Sequence, residues 1–423
     1  MKFFKILLFC LLIFEESFGI RLIRDAEIET VLTDMVKPIF RAAGLKEKSA
    51  KIFVVDSEEI NAFTIGHGYI FVNVGLLLKF KEPEQVIAVL SHETAHIAAG
   101  HINRLMAGIL NRQRNATGAM LAGLLATILT GSEKAMAASL GYLMADERLF
   151  LRYSRGQEFA ADSLGASYME ELGYDSDDMI SVFQTFQDIS VLNGGEHIPE
   201  YIRSHPDANS RIIALKNRNK KLTKKKEDKG LLNKYSRILR KLRAYLKSKN
   251  STDDEYSRAI YLHRCGRISE AIAIMEKISK RNPHDIFFKE TLAHLLYESG
   301  NLKKSIEVYK QIYTKDLNSL IKKDYAEVLI EANHNLEKAI RILESIKYDS
   351  YVDSDIFRLL AKAYGKKKKI GIANFMLAQE KMIDGDLVAA KRLLDVCLSQ
   401  LDKKKEASYR KKAKYLKELV NRK

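Results

Sequence analysis

HETAH, His92-Glu93-Thr94-Ala95-His96, decides how the first half of this 423-residue chain is read. On a helix of 3.6 residues per turn, positions four apart share a face, so His92 and His96 can grip one metal ion with Glu93 beside them. The flanks predict that helix. Pro83 suits a first helical position, and Glu82, Glu84 and Gln85 put acceptors around its positive end. Val86, Ile87, Val89, Leu90 and Ile97 then supply apolar contacts on nearly every side, so the helix is expected to be buried. HExxH arises by chance in a chain this long on the order of once in a hundred, so the motif needs a third ligand before it carries chemistry. Either histidine alone would read as a hydrogen-bonded core residue.

A tetrahedral zinc site held by two histidines lacks one protein ligand, and catalytic sites commonly add a carboxylate while keeping the fourth position for water. Glu158, in the run Glu158-Phe159-Ala160-Ala161-Asp162, opens an Ala-rich helical stretch and is the candidate. Asp162 lies four residues on, hence on the same face, placed to accept a hydrogen bond from the free ring nitrogen of a ligating histidine. Without HExxH upstream the two acids would read as an exposed pair on an amphipathic helix.

HExxH followed by ExxxD resembles the gluzincin zinc metallopeptidase family of the CAAX prenyl proteases and HtpX, most of all the BepA-type periplasmic peptidases that end in a tetratricopeptide (TPR) domain. Asn61-Ala62-Phe63, leading through Gly68 to Leu76, is similar to that family's NAF…GLL segment. Its alternating aromatic and β-branched residues predict a strand, which at a sheet edge beside the site would pair with an extended substrate. Ser204-His205-Pro206 with Arg211 resembles the family's His-Pro…Arg motif. The chain departs from the family at Gly66-His67-Gly68, where relatives often carry Pro-Gly-Gly, and His67 reads as a turn or surface residue.

The resemblance implies peptide hydrolysis with one zinc per chain, ligated by His92, His96 and Glu158. Zinc lowers the pKa of water towards ~7 and polarises the scissile carbonyl, and Glu93 is the expected general base. For His205 two roles stand open: donating to the tetrahedral oxyanion, or occupying the fourth position and holding the enzyme latent. The plain alternative is a histidine capping a turn before Pro206. Arg211 is read as steadying substrate or Glu158, or as a structural ion pair.

Met1 to Gly19 has the layout of a secretory signal: Lys2 and Lys5, an apolar core from Ile6 to Phe14, and small residues at Ser17 and Gly19. The core is too short to span a bilayer. Glu15 and Glu16 are unusual inside such a segment and leave an uncleaved anchor open. Cys10 is expected to depart with the signal, leaving Cys265 and Cys397, so a disulfide scaffold is not the basis of the fold. The periplasm is the expected compartment, with membrane association as an option.

The net charge of +16 is uneven. Residues 216–249 carry +13 and residues 402–423 carry +7, which leaves the rest at −4. A nucleic-acid partner is therefore not expected, whereas the basic hinge and tail suit an anionic membrane surface or plain solvation. Between residues 216 and 250, Leu231, Leu232, Tyr235, Ile238, Leu239, Leu242, Tyr245 and Leu246 recur at helical spacing. They predict a basic amphipathic linker helix packed on the next domain. The uncharged run 115–132 reads first as a buried or lid helix, second as a shallow membrane contact, third as a span.

The second half repeats. Gly266, Gly300 and His334 are 34 residues apart, as are Ile268, Leu302 and Leu336, then Ala271, Ser305 and Ala339, then Ile272, Ile306 and Ile340. This is the period of TPR helix pairs, with small residues where helices cross, and Pro283 fits the connection after the first repeat. Beyond the third repeat the phase is expected to be lost, with Gly385, Leu387 and Ala390 restating the pattern out of register. The expected fold is thus mainly α: an α+β zincin-like metallopeptidase domain with a small sheet, then an α-solenoid of TPR repeats. The expected organisation is a signal peptide at 1–19, the peptidase domain at 20–215, a linker at 216–250, the repeats at 251–400 and a basic tail at 401–423.

By resemblance the function is a zinc endopeptidase acting on misfolded or stalled envelope proteins. Its TPR module would hold unfolded or misassembled outer-membrane proteins, or engage the outer-membrane assembly machinery. The alternative is a TPR adaptor or chaperone whose metal site is latent or vestigial.

Overall fold

A computed structural model describes residues 21–66, 68–102, 104, 153–192, 200–205, 208–218, 228–246, 254–347 and 353–421. The readings of residues 1–19, His67 and residues 115–132 lie outside them. The N-terminal half opens with strand β1 (Leu22–Ile23) and helix α1 (Ala26–Ala42), whose first turn is capped by Asp25 Oδ1 accepting from the amides of Glu27 and Ile28 at 3.0 Å each. Strands β2 (Lys51–Val55), β3 (Ala62–Gly66) and β4 (Tyr69–Asn73) follow, then the short helix α2 (Val74–Lys79) and helix α3 (Pro83–Ala98). Sheet order is β1-β2-β4-β3, with β2 and β4 parallel and the other pairs antiparallel.

The aromatic, β-branched run Tyr69–Asn73 is therefore an interior strand, and among the described residues β3, which carries Ala62 and Phe63, lies at one edge of the sheet and β1 at the other. The alternation that predicted an edge belongs to a strand bonded on both sides. Asn61 leads into the edge strand, and its carbonyl accepts from the Asn73 amide at 3.0 Å. Gly68 makes the hairpin feasible: its φ is +89°, and a Cβ there would lie 2.1 Å from the Ser49 carbonyl oxygen.

Helix α3 is covered by β3 and α1 and by three further elements: α4 (Arg155–Glu171), α5 (Asp177–Leu192) and α8 (Lys229–Tyr245). The short helices α6 (Glu200–Ser204) and α7 (Ala208–Lys216) close over one end. Helix α8 packs on the first helix of the second half, as the linker reading expected, and on the N-terminal half as well. Its Tyr235, Ile238, Leu239 and Leu242 join the core of the N-terminal half, and the Tyr235 hydroxyl donates to the Phe80 carbonyl at 2.7 Å. At its far end Ala244 joins the core of the first repeats and Tyr245 packs against it, so the helix belongs to both halves.

A buried polar knot fastens that joint. Lys241 on α8, 1% exposed, pairs with Asp25 at 2.8 Å and Glu27 at 3.2 Å. The hydroxyls of Tyr245 and Tyr256 donate to Asp25 and Glu27 at 2.6 and 2.8 Å. Fully paired ions of this kind fix one arrangement of the elements they join rather than adding much net stability.

The second half is a stack of helix pairs: α9 (Glu255–Arg264) with α10 (Ile268–Arg281), α11 (Ile286–Glu298) with α12 (Leu302–Ile312), and α13 (Ser319–Glu331) with α14 (Leu336–Ile346). Then come α15 (Ser354–Lys366) with α16 (Ile370–Ile383), and α17 (Leu387–Gln400) with α18 (Ala407–Asn421). Ala271, Ser305 and Ala339 are each fully buried where helices cross. The expected loss of phase after the third repeat is wrong. Ile370 and Ala373 continue the columns of Leu336 and Ala339, and Lys368 adopts the left-handed turn, φ +60°, that Gly266 and Gly300 adopt above it. A lysine in that conformation hid the fourth repeat from a search for glycine. Gly385 turns instead between α16 and α17. Cys265 is exposed and Cys397 buried, and neither is in a disulfide.

Candidate metal and active site

The buried helix α3 brings His92 and His96 onto one face, with Nε2 atoms 3.0 Å apart. Glu158 is delivered by α4, whose start is fixed by a capping box: the Gln157 amide donates to Ser154 Oγ at 3.3 Å, and the Gln157 side chain accepts from the Ser154 amide at 2.8 Å. Gly165 lets the two helices touch. A Cβ there would stand 3.1 Å from the His92 backbone nitrogen. At this crossing Glu158 Oε2 lies 3.5 Å from His92 Nε2, and Oε1 lies 3.4 Å from His96 Nε2.

Helix α6 ends in Ser204 and presents His205. Its Nδ1 sits 3.1 Å from both Glu158 oxygens and 3.2 Å from His92 Nε2. One ligand atom from each of His92, His96, Glu158 and His205 therefore lies within 4.8 Å of the others, all four residues buried. Four converging nitrogen and oxygen donors in a dry site suit a tetrahedral divalent ion, and a carboxylate so placed fits the charge of zinc.

The surroundings orient these donors. Asp162 Oδ1 accepts from His92 Nδ1 at 2.9 Å. Arg211, 1% exposed, forks onto both Asp162 oxygens at 2.7 Å, reaches Glu158 Oε2 at 2.9 Å and donates to the His205 carbonyl at 3.1 Å. Its guanidinium also stacks on Phe183, 4.2 Å from the ring centre. Burial opposes the ionised form of Glu158, but His205, His92 and His96 hold its carboxyl far below the usual range. Glu93 differs. Its side chain is fully buried, its oxygens accept no hydrogen bond among the described residues, and His205 Nε2 lies 3.5 Å away. Burial pushes its carboxyl up to about 8, against the pull of His92.

The structure thus brings together His92, Glu93, His96, Glu158, Asp162, His205 and Arg211, and places Asn61, Ala62 and Phe63 at the edge strand packed on α3. Three residues were missed. His101 Nδ1 is 3.0 Å from His96 Nδ1. Tyr153 stacks on His96 at 3.8 Å between ring centres. Tyr201 stacks on His205 at 4.4 Å. The second histidine five residues after His96 was the only one with a signal in the sequence.

An HExxH helix completed by a glutamate from a second helix, with a carboxylate orienting one histidine, defines the gluzincin class of metallopeptidases. Residues 23–219 match peptidase family M48, so this half of the chain is an M48 domain. It is 27% identical over 170 residues to the beta-barrel assembly-enhancing protease of Escherichia coli O157:H7, covering 39% of this chain and 34% of that one. It is 28% identical over 232 residues to protease HtpX of Xanthomonas campestris, covering 48% of this chain and 77% of that one. The chain thus spans about a third of the length of the first of these relatives. Among solved structures, yeast Tom70 is similar at 14% identity with a TM-score of 0.26, covering 82% of this chain and 86% of that one.

Proposed function

We propose that the chain is a zinc-dependent endopeptidase of the periplasm that cleaves misfolded or stalled outer-membrane β-barrel proteins, with the helical repeats holding the client. The carrying observation is the buried convergence of His92, His96 and Glu158 beside Glu93, whose oxygens accept no hydrogen bond among the described residues. The client class is supported by the name of the assembly-enhancing relative. Zinc, one per chain, supplies a Lewis acid that polarises the scissile carbonyl and acidifies water. Glu93 takes the water proton and returns it to the leaving amine, a task suited to a carboxyl whose pKa lies near working pH. Strand β3, placed at the sheet edge after Asn61 and packed on α3, is where the extended client main chain would pair. Asp162 holds His92 and Arg211 holds Glu158, which keeps two ligands aimed.

His205 is assigned to the fourth position, because its Nδ1 falls within the ligand cluster rather than on an approach to it. It would then hold the enzyme latent until a client displaces it. The test uses zinc-loaded full-length protein and a urea-unfolded outer-membrane β-barrel protein. Cleavage is expected, lost with chelator and restored by zinc, and several-fold faster in His205→Ala. A slower His205→Ala enzyme would assign His205 to the oxyanion instead. If the client is bound by both proteins and cut by neither, the adaptor reading replaces the enzyme.

The tail helix α18 supports a second contact. Its outer face carries Lys411 and Lys412 beside Tyr415, 61% exposed, and Leu419, 38% exposed, a basic surface with apolar side chains that suits an anionic bilayer. Cosedimentation with phosphatidylglycerol vesicles is expected at low salt and should disappear in a Lys411→Glu, Lys412→Glu, Tyr415→Ser variant. Equal binding by the variant would remove this contact.

A further inference from the structure

His96 faces the ligand cluster through Nε2, which lies 3.0 Å from His92 Nε2 and 3.4 Å from Glu158 Oε1. An imidazole that gives its Nε2 lone pair to a metal carries its proton on Nδ1, and that N–H needs an acceptor. The atom in place is His101 Nδ1, at 3.0 Å. For it to accept, His101 must be neutral with its own proton on Nε2. The residue is 3% exposed, so the contact is closed to water.

The contact depends on a break in the helix. On a continuous helix a residue five positions after His96 would point about 140° away from it. Helix α3 ends at Ala98, and Gly100 turns with φ +65°, which returns His101 to the side of His96. Tyr153 stacks on the face of the His96 ring, 3.8 Å between centres and tilted by 27°, so the imidazole is held by a stack as well as a hydrogen bond.

We propose that His101 is the positioning residue for His96, the uncharged counterpart of Asp162 on His92. Each of the three ligands then has its own holder: Asp162 for His92, Arg211 for Glu158, His101 for His96. A neutral holder has a physical reason here. Glu93, Glu158 and Asp162 already place three carboxylates in one buried site against the single guanidinium of Arg211. A fourth carboxylate, at residue 101, would raise the cost of ionising Glu93 further.

The inference rests on His92, His96 and Glu158 being the metal's ligands, and zinc affinity of the full-length chain by chelator competition tests both separately. If the wild type binds no zinc tightly, the ligand assignment fails. If it does, His101→Ala is expected to bind about 10–100-fold more weakly. His101→Asn, whose Oδ1 can take the place of Nδ1, should recover most of that loss, while His101→Gln, whose oxygen lies one bond further out, should not. The visible spectrum of the cobalt-substituted protein should match wild type in His101→Asn and shift in His101→Gln, a comparison that stands even if the alanine variant fails to fold. Wild-type affinity in His101→Ala, or equal weakness of the asparagine and glutamine variants with unshifted spectra, would overturn the assignment.

Discussion

Glu93→Gln is expected to bind zinc as tightly as wild type and to cleave an unfolded β-barrel protein about 10²–10⁴-fold more slowly. The substitution keeps the volume of a side chain that is fully buried on a helix whose every neighbour is packed, so the ligands should not move. What it removes is the proton acceptor. No described residue donates to the Glu93 oxygens, and the nearest alternative base, His205, is 3.5 Å away with its Nδ1 engaged by Glu158. A glutamine amide cannot take the proton, and His205, with Nδ1 turned to Glu158, is not placed as Glu93 is. Retained zinc with wild-type turnover would exclude Glu93 as the base. Loss of both zinc and turnover would mean that the variant damaged the site and that the lost turnover says nothing about proton transfer, and metal analysis separates these outcomes.

Arg211→Met should be the most destabilising single change at the site, lowering the unfolding free energy of the metal-free N-terminal half by about 3–5 kcal/mol in urea titration. Arg211 is the guanidinium buried beside the ligand cluster, bonded to Asp162 through two nitrogens at 2.7 Å and to Glu158 at 2.9 Å. Methionine fills much of the same space against Phe183 but leaves two carboxylates facing each other in a dry interior. The double variant Arg211→Met, Asp162→Leu should regain part of the loss, because it removes one of the stranded charges. A loss under about 1 kcal/mol in the single variant, or no recovery in the double, would show that water reaches the pair and that burial is not the source of the cost.

Much of the site was legible because helical spacing is a local rule. His92, Glu93 and His96 share a turn, and Glu158 and Asp162 share another, so each set could be placed on a face without knowing where the helices cross. His101 was not legible, since its contact with His96 requires the left-handed turn at Gly100, and a continued helix would have pointed it elsewhere. Tyr153 and Tyr201 reach the histidine rings from separate segments. Their positions depend on packing, and no spacing encodes it. The repeat period found two pairs through glycine turns and a third with His334 in that column, and lost the fourth at Lys368, which takes the glycine conformation at a strain that glycine avoids.

By itself the sequence determined the HExxH helix, the Glu158 helix and the 231–246 helix, which face of the first two carries donors, and that a 34-residue period governs the second half. These follow from periodicity and local backbone preference. Only the tertiary structure decided that β3 rather than β4 lies at the sheet edge, that α8 fastens the two halves through Lys241, Asp25 and Glu27, and that His205 reaches His92 and Glu158. Each of those depends on residues distant in the chain being pressed into one dry space. There unpaired charge is costly, so the partners must meet.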